Sequence, residues 1–217
     1  MRSSISTEIL KFIEEENAVC DMTKLYEYFS NTLGYQKYQI HNIRYDKNIL
    51  YYSEGSVVHF NALEWTSEKQ SVLEALAESH LHDRHTAGKP FGLIEHLYDY
   101  QYDQLPALPD QIPWTKSLIA ELLSRAEKYR IIGTQRNAFV SISNSFGIET
   151  LDDLLSILLA EPEYGGAANI LSFTEDMRKA GILVKTLSQT MLGDNSKVVI
   201  DGNVIRLAGL GVHAERT

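Results

Sequence analysis

Residues 114–142 carry the sequence pattern that most restricts the fold of this chain. Apolar residues recur there at spacings of one, three and four, which is typical of one face of an amphipathic helix: Leu118, Ile119, Leu122, Leu123 and Ala126. Two runs rich in β-branched and aromatic residues follow at 129–132 and 138–142, with a polar turn at 133–137 between them. The stretch therefore predicts a helix that leads directly into a β-hairpin.

The order of three helices followed by a hairpin can be traced three times along the 217 residues. The hairpin turns are predicted at Glu54-Gly55, at residues 133–137 and at Asp201-Gly202. The third helix is expected at residues 36–45 in the first set, directly after Trp114 in the second set and at residues 183–192 in the third set. The copies share this pattern and not residue identity. We therefore expect a mainly α chain with short β-hairpins, an α+β fold built from three consecutive modules.

This arrangement resembles the winged-helix superfamily in element order over most of the chain. The resemblance rests on that order, since the sequence contains no signature motif, and it predicts winged-helix-like modules at residues 1–60, 61–143 and 144–217. It implies that a third helix enters the DNA major groove and that the hairpin wing contacts the backbone or the minor groove. Tandem acidic winged-helix proteins also serve as assembly subunits that hold protein segments, including accessory partners of bacterial chromosome-organising complexes.

The middle module is expected to contain a stiff loop at residues 105–113. Three prolines prevent a regular helix there: Pro106, Pro109 and Pro113. Three tyrosines precede the loop: Tyr98, Tyr100 and Tyr102. This stretch either lies over the domain surface or accepts a strand from a partner.

The charge of the chain weighs against a simple nucleic-acid argument. The net charge is −9 at pH 7, and Lys plus Arg number 6, 8 and 6 in the three modules against 8, 11 and 10 Asp plus Glu. No module is basic, so binding to phosphate would depend on local charge at the contacting face. Residues 116–136 are locally basic, because they hold five Lys and Arg against two Glu.

The candidate nucleic-acid contacts lie on the third helix of the first module, on the third helix of the second module and on the hairpin of the second module. They are Lys37, Gln39, Asn42, Arg44, Lys116, Ser117, Ser124, Arg125, Lys128 and Arg136. Asn and Gln can make bidentate contacts with adenine, and Arg and Lys can contact guanine or phosphate. Arg136 is expected at a projecting hairpin tip. The alternative is that these residues form ordinary solvated helix faces.

Two functions from different classes follow from these patterns. The first is a non-enzymatic protein that binds double-stranded DNA, as a regulator or as a component of a DNA-processing complex. The second is an acidic tandem winged-helix adaptor that mediates protein–protein assembly. The sequence leaves open which partner is bound, whether the chain self-associates, and whether it is a segment of a larger protein.

Catalytic and metal-binding patterns are weak. The densest group of potential metal ligands is His80, His82, Asp83 and His85, which we expect to be solvated on a polar connection spanning residues 80–90. Cys20 is expected to be a small buried apolar residue. We find no nucleophile or acid–base arrangement, and we expect no enzymatic activity, no cofactor and no metal.

The single cysteine cannot form an intrachain disulfide, which favours a reducing compartment. No apolar run reaches transmembrane length, and the first ten residues lack a signal-peptide core. We therefore expect a soluble cytoplasmic protein with no membrane partner.

Overall fold

The computed structural model describes residues 4–133, 136–183, 187–193 and 195–209. Within these ranges the fold is α+β, with α-helices and three small antiparallel sheets of three strands each. This confirms the α+β part of the predicted fold class. The chain forms two compact units, one made of Met1–His80 and His96–Glu127, the other of Leu81–Glu95 and Lys128–Thr217. We call these unit 1 and unit 2.

Unit 1 begins with three helices and three strands. In order they are α1 (Ile5–Glu16), β1 (Val19–Asp21), α2 (Met22–Leu25), α3 (Lys37–Asn42), β2 (Ile49–Ser53) and β3 (Ser56–His59). Helix α2 continues as a π-helix over Tyr26–Thr32, and α3 continues as a 3-10 turn over Ile43–Tyr45. Asp21 caps α2, because its carboxylate accepts a hydrogen bond from the Thr23 N–H.

The first sheet has the strand order β1-β3-β2. Ser53 pairs with Ser56 across a two-residue turn, which confirms the hairpin predicted at Glu54-Gly55. Ile9, Ile13 and Phe29 form part of the core that this sheet and the first three helices enclose.

Three further helices follow: α4 (Ser67–Thr86), α5 (Ile94–Tyr100) and α6 (Lys116–Ser124). The middle of the chain reaches α6 through the proline-containing loop. Pro106 accepts a hydrogen bond from Trp114 Nε1 at 2.8 Å, and Pro113 accepts one from the Tyr52 hydroxyl at 2.6 Å. Ile112 is fully buried. The loop is therefore irregular, as predicted, and is fastened to its own unit.

Unit 2 contains the other two sheets. Its elements are β4 (Gly92–Leu93), β5 (Tyr129–Ile132), β6 (Ala138–Ser141), α7 (Leu151–Leu159), β7 (Ala167–Asn169), α8 (Ile170–Lys179), α9 (Gln189–Leu192), β8 (Val198–Asp201) and β9 (Val204–Leu207). The strand orders are β4-β6-β5 and β7-β9-β8. Leu154, Phe173 and Ile205 lie in a continuous apolar core.

One order of elements recurs three times in the described residues: helix, strand, helix, helix, strand, strand. In each sheet the first strand pairs with the third, and the third pairs with the second. The three first strands, β1, β4 and β7, were not expected from the sequence. They are two or three residues long, which is too short for an alternating apolar pattern to be recognised.

Four local predictions were wrong. Residues 80–86 are helical, because no glycine or proline interrupts α4 before Gly88 and Leu81 is buried. The helix after Trp114 ends at Ser124, before Ala126. The turn between β8 and β9 is Gly202-Asn203, one residue later than expected. A helix was predicted over residues 183–192, but among the described residues of this stretch only Gln189–Leu192 is α-helical. Residues 184–186 lie outside the described ranges.

Candidate nucleic-acid interface

Helix α3 is held in place by one apolar side and by its own first turn. Ile40 and Ile43 are buried, and they fix which side of the helix faces the core. The Gln36 N–H donates to Gln39 Oε1 at 3.1 Å, so the Gln39 side chain caps the helix. Gln39 is thus partly engaged inside the protein, whereas the sequence predicted a base contact for it.

The exposed residues of α3 and its 3-10 continuation are polar and aromatic. Lys37, Asn42 and Arg44 are exposed, and the Arg44 guanidinium lies 5.8 Å from the centre of the Tyr51 ring. Tyr38 is 64% exposed and Tyr45 is 80% exposed. This helix therefore presents two cations, an amide and two aromatic rings to solvent.

The acidic side chain closest in sequence to these cations is Asp46. Its carboxylate accepts a hydrogen bond from the Asn48 N–H at 2.8 Å. His41 Nδ1 lies 3.2 Å from the Tyr26 hydroxyl, and the His41 ring meets the Tyr45 ring edge to face, with the ring centres 6.4 Å apart. The contact with His41 therefore orients the Tyr45 ring.

Helix α6 is much more enclosed than α3. Leu118, Ile119, Leu122 and Leu123 are buried as the periodicity predicts, and Ala120 is buried as well. The helix packs against strand β2. Thr115 caps its start and also donates its hydroxyl to the Tyr52 carbonyl at 2.6 Å. Only a narrow strip of α6 faces solvent.

Arg125 fastens the end of α6 to β2. Its Nη2 donates to the Lys47 carbonyl at 2.6 Å and lies 3.4 Å from the Ile49 carbonyl oxygen, and its guanidinium lies 5.1 Å from the centre of the Phe60 ring. Burial lowers the pKa of Arg125, and the nearby Glu121 carboxylate opposes that shift. The guanidinium predicted to contact DNA is thus used within unit 1.

The other predicted residues of α6 also have protein partners. Lys116 Nζ lies 3.8 Å from the Asp99 carboxylate and 5.7 Å from the centre of the Tyr98 ring. Ser117 is half-buried, and the Ser124 hydroxyl donates to the Glu121 carbonyl at 2.8 Å. The surface of α6 therefore offers phosphate a single, partly paired lysine.

Lys128 and Arg136 lie in unit 2, at the hairpin formed by β5 and β6. Lys128 is exposed, and its carbonyl accepts a hydrogen bond from the Ile142 N–H at 2.8 Å. Arg136 lies in the loop between the strands with a φ of 54°, and its N–H donates to the Gly133 carbonyl. Residues 134 and 135 of this loop lie outside the described ranges.

The structure thus distributes the ten predicted residues over both units. Eight belong to unit 1, and Lys128 and Arg136 belong to unit 2. Unit 1 holds nine Lys and Arg against 17 Asp and Glu, a net charge of −8, and unit 2 holds 11 against 12, a net charge of −1. The exposed cations of α3 therefore lie in a unit whose overall charge is acidic.

The contacts predicted from the sequence do not include Tyr38 and Tyr45, because only charged and hydrogen-bonding side chains were considered. Their spacing would have identified them. Ile40 and Ile43 mark the buried side of the helix, and both tyrosines fall about half a turn away from it.

The histidines of α4 do not assemble a metal site. His80 is only 3% exposed, and its ring stacks on that of His96 at 4.1 Å. In the described ranges, no three side chains of His, Cys, Asp or Glu converge as metal ligands would. Cys20 is buried, as predicted, and burial raises its pKa to about 11.

None of the described helices has both the length and the apolar composition that crossing a membrane requires.

No protein-family model and no curated protein matches this chain.

Proposed function

We propose that this protein binds double-stranded DNA through tandem winged-helix modules, with the exposed side of α3 as its main contact. It acts without catalysis, as a regulator or as part of a DNA-processing complex. The observation that carries the proposal is the pair of exposed cations, Lys37 and Arg44, at the two ends of one helix.

The repeated element order supports a modular, winged-helix-like construction. Each repeat contains three helices followed by a hairpin, and a short extra strand completes each sheet. In the first repeat the third helix is α3, which lies at the position that the resemblance assigns to the groove-binding helix. A helix of this width fits the major groove of B-DNA.

The chemistry of the α3 surface suits a duplex. Lys37 and Arg44 can neutralise phosphates, and Asn42 between them can donate to and accept from an adenine edge. The tip of the first hairpin carries the exposed Glu54, which phosphate would repel. We therefore assign the wing contact to the hairpin that carries Arg136 and not to the first one.

The acidity of the molecule sets an expectation for the strength of binding. Each neutralised phosphate contributes a slope of about −0.9 to the dependence of log affinity on log salt. With two or three cations at the interface, binding should be modest at physiological salt and should rise steeply as salt is lowered.

Charge reversal on α3 tests the proposal. The variant Lys37→Glu/Arg44→Glu should bind a labelled duplex at least about tenfold more weakly, and its salt slope should fall by about 2 units. The matched control is Lys11→Glu/Lys179→Glu, which changes the net charge equally at two exposed lysines on α1 and α8. Equal loss in both variants would mean that only overall charge matters, and unchanged affinity of the α3 variant would remove α3 from the interface.

A second function, protein–protein assembly, is favoured by a different observation. Among its described residues, unit 2 exposes five large apolar side chains: Ile142, Phe146, Leu171, Met191 and Val204. Exposed apolar groups of this size are typical of protein contact sites when they cluster. In addition, α6 is packed against β2 and leaves little helix surface for a DNA groove.

Purification of the tagged protein from its native source distinguishes the two functions. A stoichiometric protein partner without salt-dependent duplex binding supports assembly. Copurifying nucleic acid that Lys37→Glu/Arg44→Glu abolishes supports DNA binding.

A further inference from the structure

We propose that Tyr38 and Tyr45 stack on unpaired bases, so that α3 prefers nucleic acid with an opened or single-stranded segment over a fully paired duplex. This inference rests on the proposed function, because it assigns a more specific substrate to the same helix. It concerns the two most exposed rings of that helix, which a paired duplex does not require.

The two rings lie along one side of α3. The helix continues from Lys37 through the 3-10 turn without interruption, and Tyr38 and Tyr45 are seven residues apart, close to two full turns. Their backbone positions are separated by about 11 Å along the axis. A stacked strand advances about 3.4 Å per nucleotide, so this spacing matches bases about three steps apart.

The chemistry around the rings fits a polynucleotide strand. Lys37 and Arg44 are exposed and each lies one residue from a tyrosine in the chain, so the same short helical segment carries two cations that can hold phosphates of the bound strand. Aromatic platforms combined with cations are the recurring way in which proteins bind single strands. An apolar protein partner would instead favour exposed aliphatic side chains, and Ile40 and Ile43, the aliphatic residues of this helix, are buried.

A fully paired duplex cannot use these rings as platforms. Its bases are stacked on one another and present only their edges in the grooves, so a tyrosine ring can stack on a base only where pairing or stacking is opened. At 64% and 80% exposure, Tyr38 and Tyr45 keep most of their ring surface available for such a contact.

The test compares three labelled DNA ligands of the same sequence: a duplex, the same duplex with a central bubble of unpaired bases, and the single strand. The protein should bind the bubble and the single strand at least about tenfold more tightly than the duplex. Tyr38→Ala and Tyr45→Ala should each weaken binding to the bubble by about fivefold or more, with little effect on the duplex.

Phenylalanine variants show which part of the side chain matters. Tyr38→Phe and Tyr45→Phe should retain the preference for the bubble, because stacking needs the ring and not the hydroxyl. Tyr100→Ala removes another highly exposed tyrosine, on α5, and should leave the preference unchanged. Thermal melts of all variants check that folding is intact.

The outcomes separate this inference from the proposed function. Failure to bind any of the three DNA ligands would overturn both. Equal affinity for duplex and bubble, with binding still lost in Lys37→Glu/Arg44→Glu, would overturn only the stacking inference. Phenylalanine variants that lose as much affinity as the alanine variants would also overturn it, since the hydroxyl would then be the contacting group.

Discussion

Arg125, at the end of α6, donates a hydrogen bond to the carbonyl oxygen of Lys47, 78 residues earlier in the chain. This contact lies at one end of the packing between α6 and β2, and the Thr115 hydroxyl donates to Tyr52 at the other end. The helix is therefore fixed to the first sheet at both of its termini.

Replacing Arg125 should reduce the stability of the fold more than it reduces the affinity for nucleic acid. Arg125→Ala removes a charge-assisted hydrogen bond and the stacking on Phe60, and should lower the free energy of unfolding by about 1–3 kcal/mol. Urea denaturation measures this, with Ser124→Ala as a control on the neighbouring exposed position. A variant of native stability with a reduced salt slope for DNA would show instead that Arg125 is a phosphate contact.

This residue also illustrates what the sequence could and could not predict. Periodicity correctly placed Leu118 and Leu122 in the core, because apolar spacing alone determines the buried side of a helix. It could not predict the partner of Arg125, because the acceptor is a backbone carbonyl and every residue carries one. Arg125 was counted in the local positive charge of residues 116–136, and it was therefore mistaken for a cation that is available to DNA.

The rest of the site shows the same difference between local and long-range interactions. The hairpins at Glu54-Gly55 and at residues 133–137 were predicted from turn chemistry, which is local. The division of residues 116–136 between two compact units depends on long-range packing, which no local sequence pattern indicates. The local charge of that stretch therefore did not correspond to a single surface.

Asp153 should make unit 2 sensitive to acid. Burial raises its pKa, but hydrogen bonds from Lys197, from the Glu149 N–H and from Thr150 outweigh burial and hold the pKa at about 2. Lys197 Nζ lies 2.5 Å from the carboxylate. Because the folded pKa lies below the unfolded one, the stabilisation is present above about pH 4 and is lost as the pH falls toward 2.

The variant Asp153→Asn should lower the free energy of unfolding by about 1–2 kcal/mol at pH 7, and the difference from wild type should shrink as the pH approaches 2. Urea denaturation at several pH values measures it. Glu175→Gln, which removes one partner of the exposed pair with Arg178, serves as the control and should have an effect below about 0.5 kcal/mol. A difference that does not change with pH would show that packing, and not ionisation, accounts for the role of Asp153.

Gly181 should tolerate no side chain. It has a φ of 73°, and a Cβ at this position would overlap the Asn137 side-chain amide. Asn137 donates to the Gly181 carbonyl at 2.9 Å and accepts from the Glu95 N–H at 2.8 Å, so the amide cannot move without losing both bonds. Gly181→Ala should therefore lower the free energy of unfolding by about 2–4 kcal/mol.

The control for this prediction is Gly202→Ala, in the turn between β8 and β9. Gly202 has a φ of 59°, and a methyl group added there would meet no other group within 4 Å, so its replacement should cost only the backbone strain, about 1 kcal/mol. Circular dichroism during urea denaturation measures both variants. Similar losses in the two would mean that the contact with Asn137 contributes little.

The hairpin that carries Lys128 and Arg136 should contribute to duplex binding as a wing. Lys128→Glu/Arg136→Glu should weaken the duplex complex at least about fivefold and lower the salt slope by about 2 units, because two cations near phosphate become repulsive. Electrophoretic mobility shift at several salt concentrations measures both quantities, and Lys11→Glu/Lys179→Glu again controls for net charge. If the affinity is unchanged while Lys37→Glu/Arg44→Glu abolishes binding, α3 is the contact and the hairpin in unit 2 lies away from the DNA.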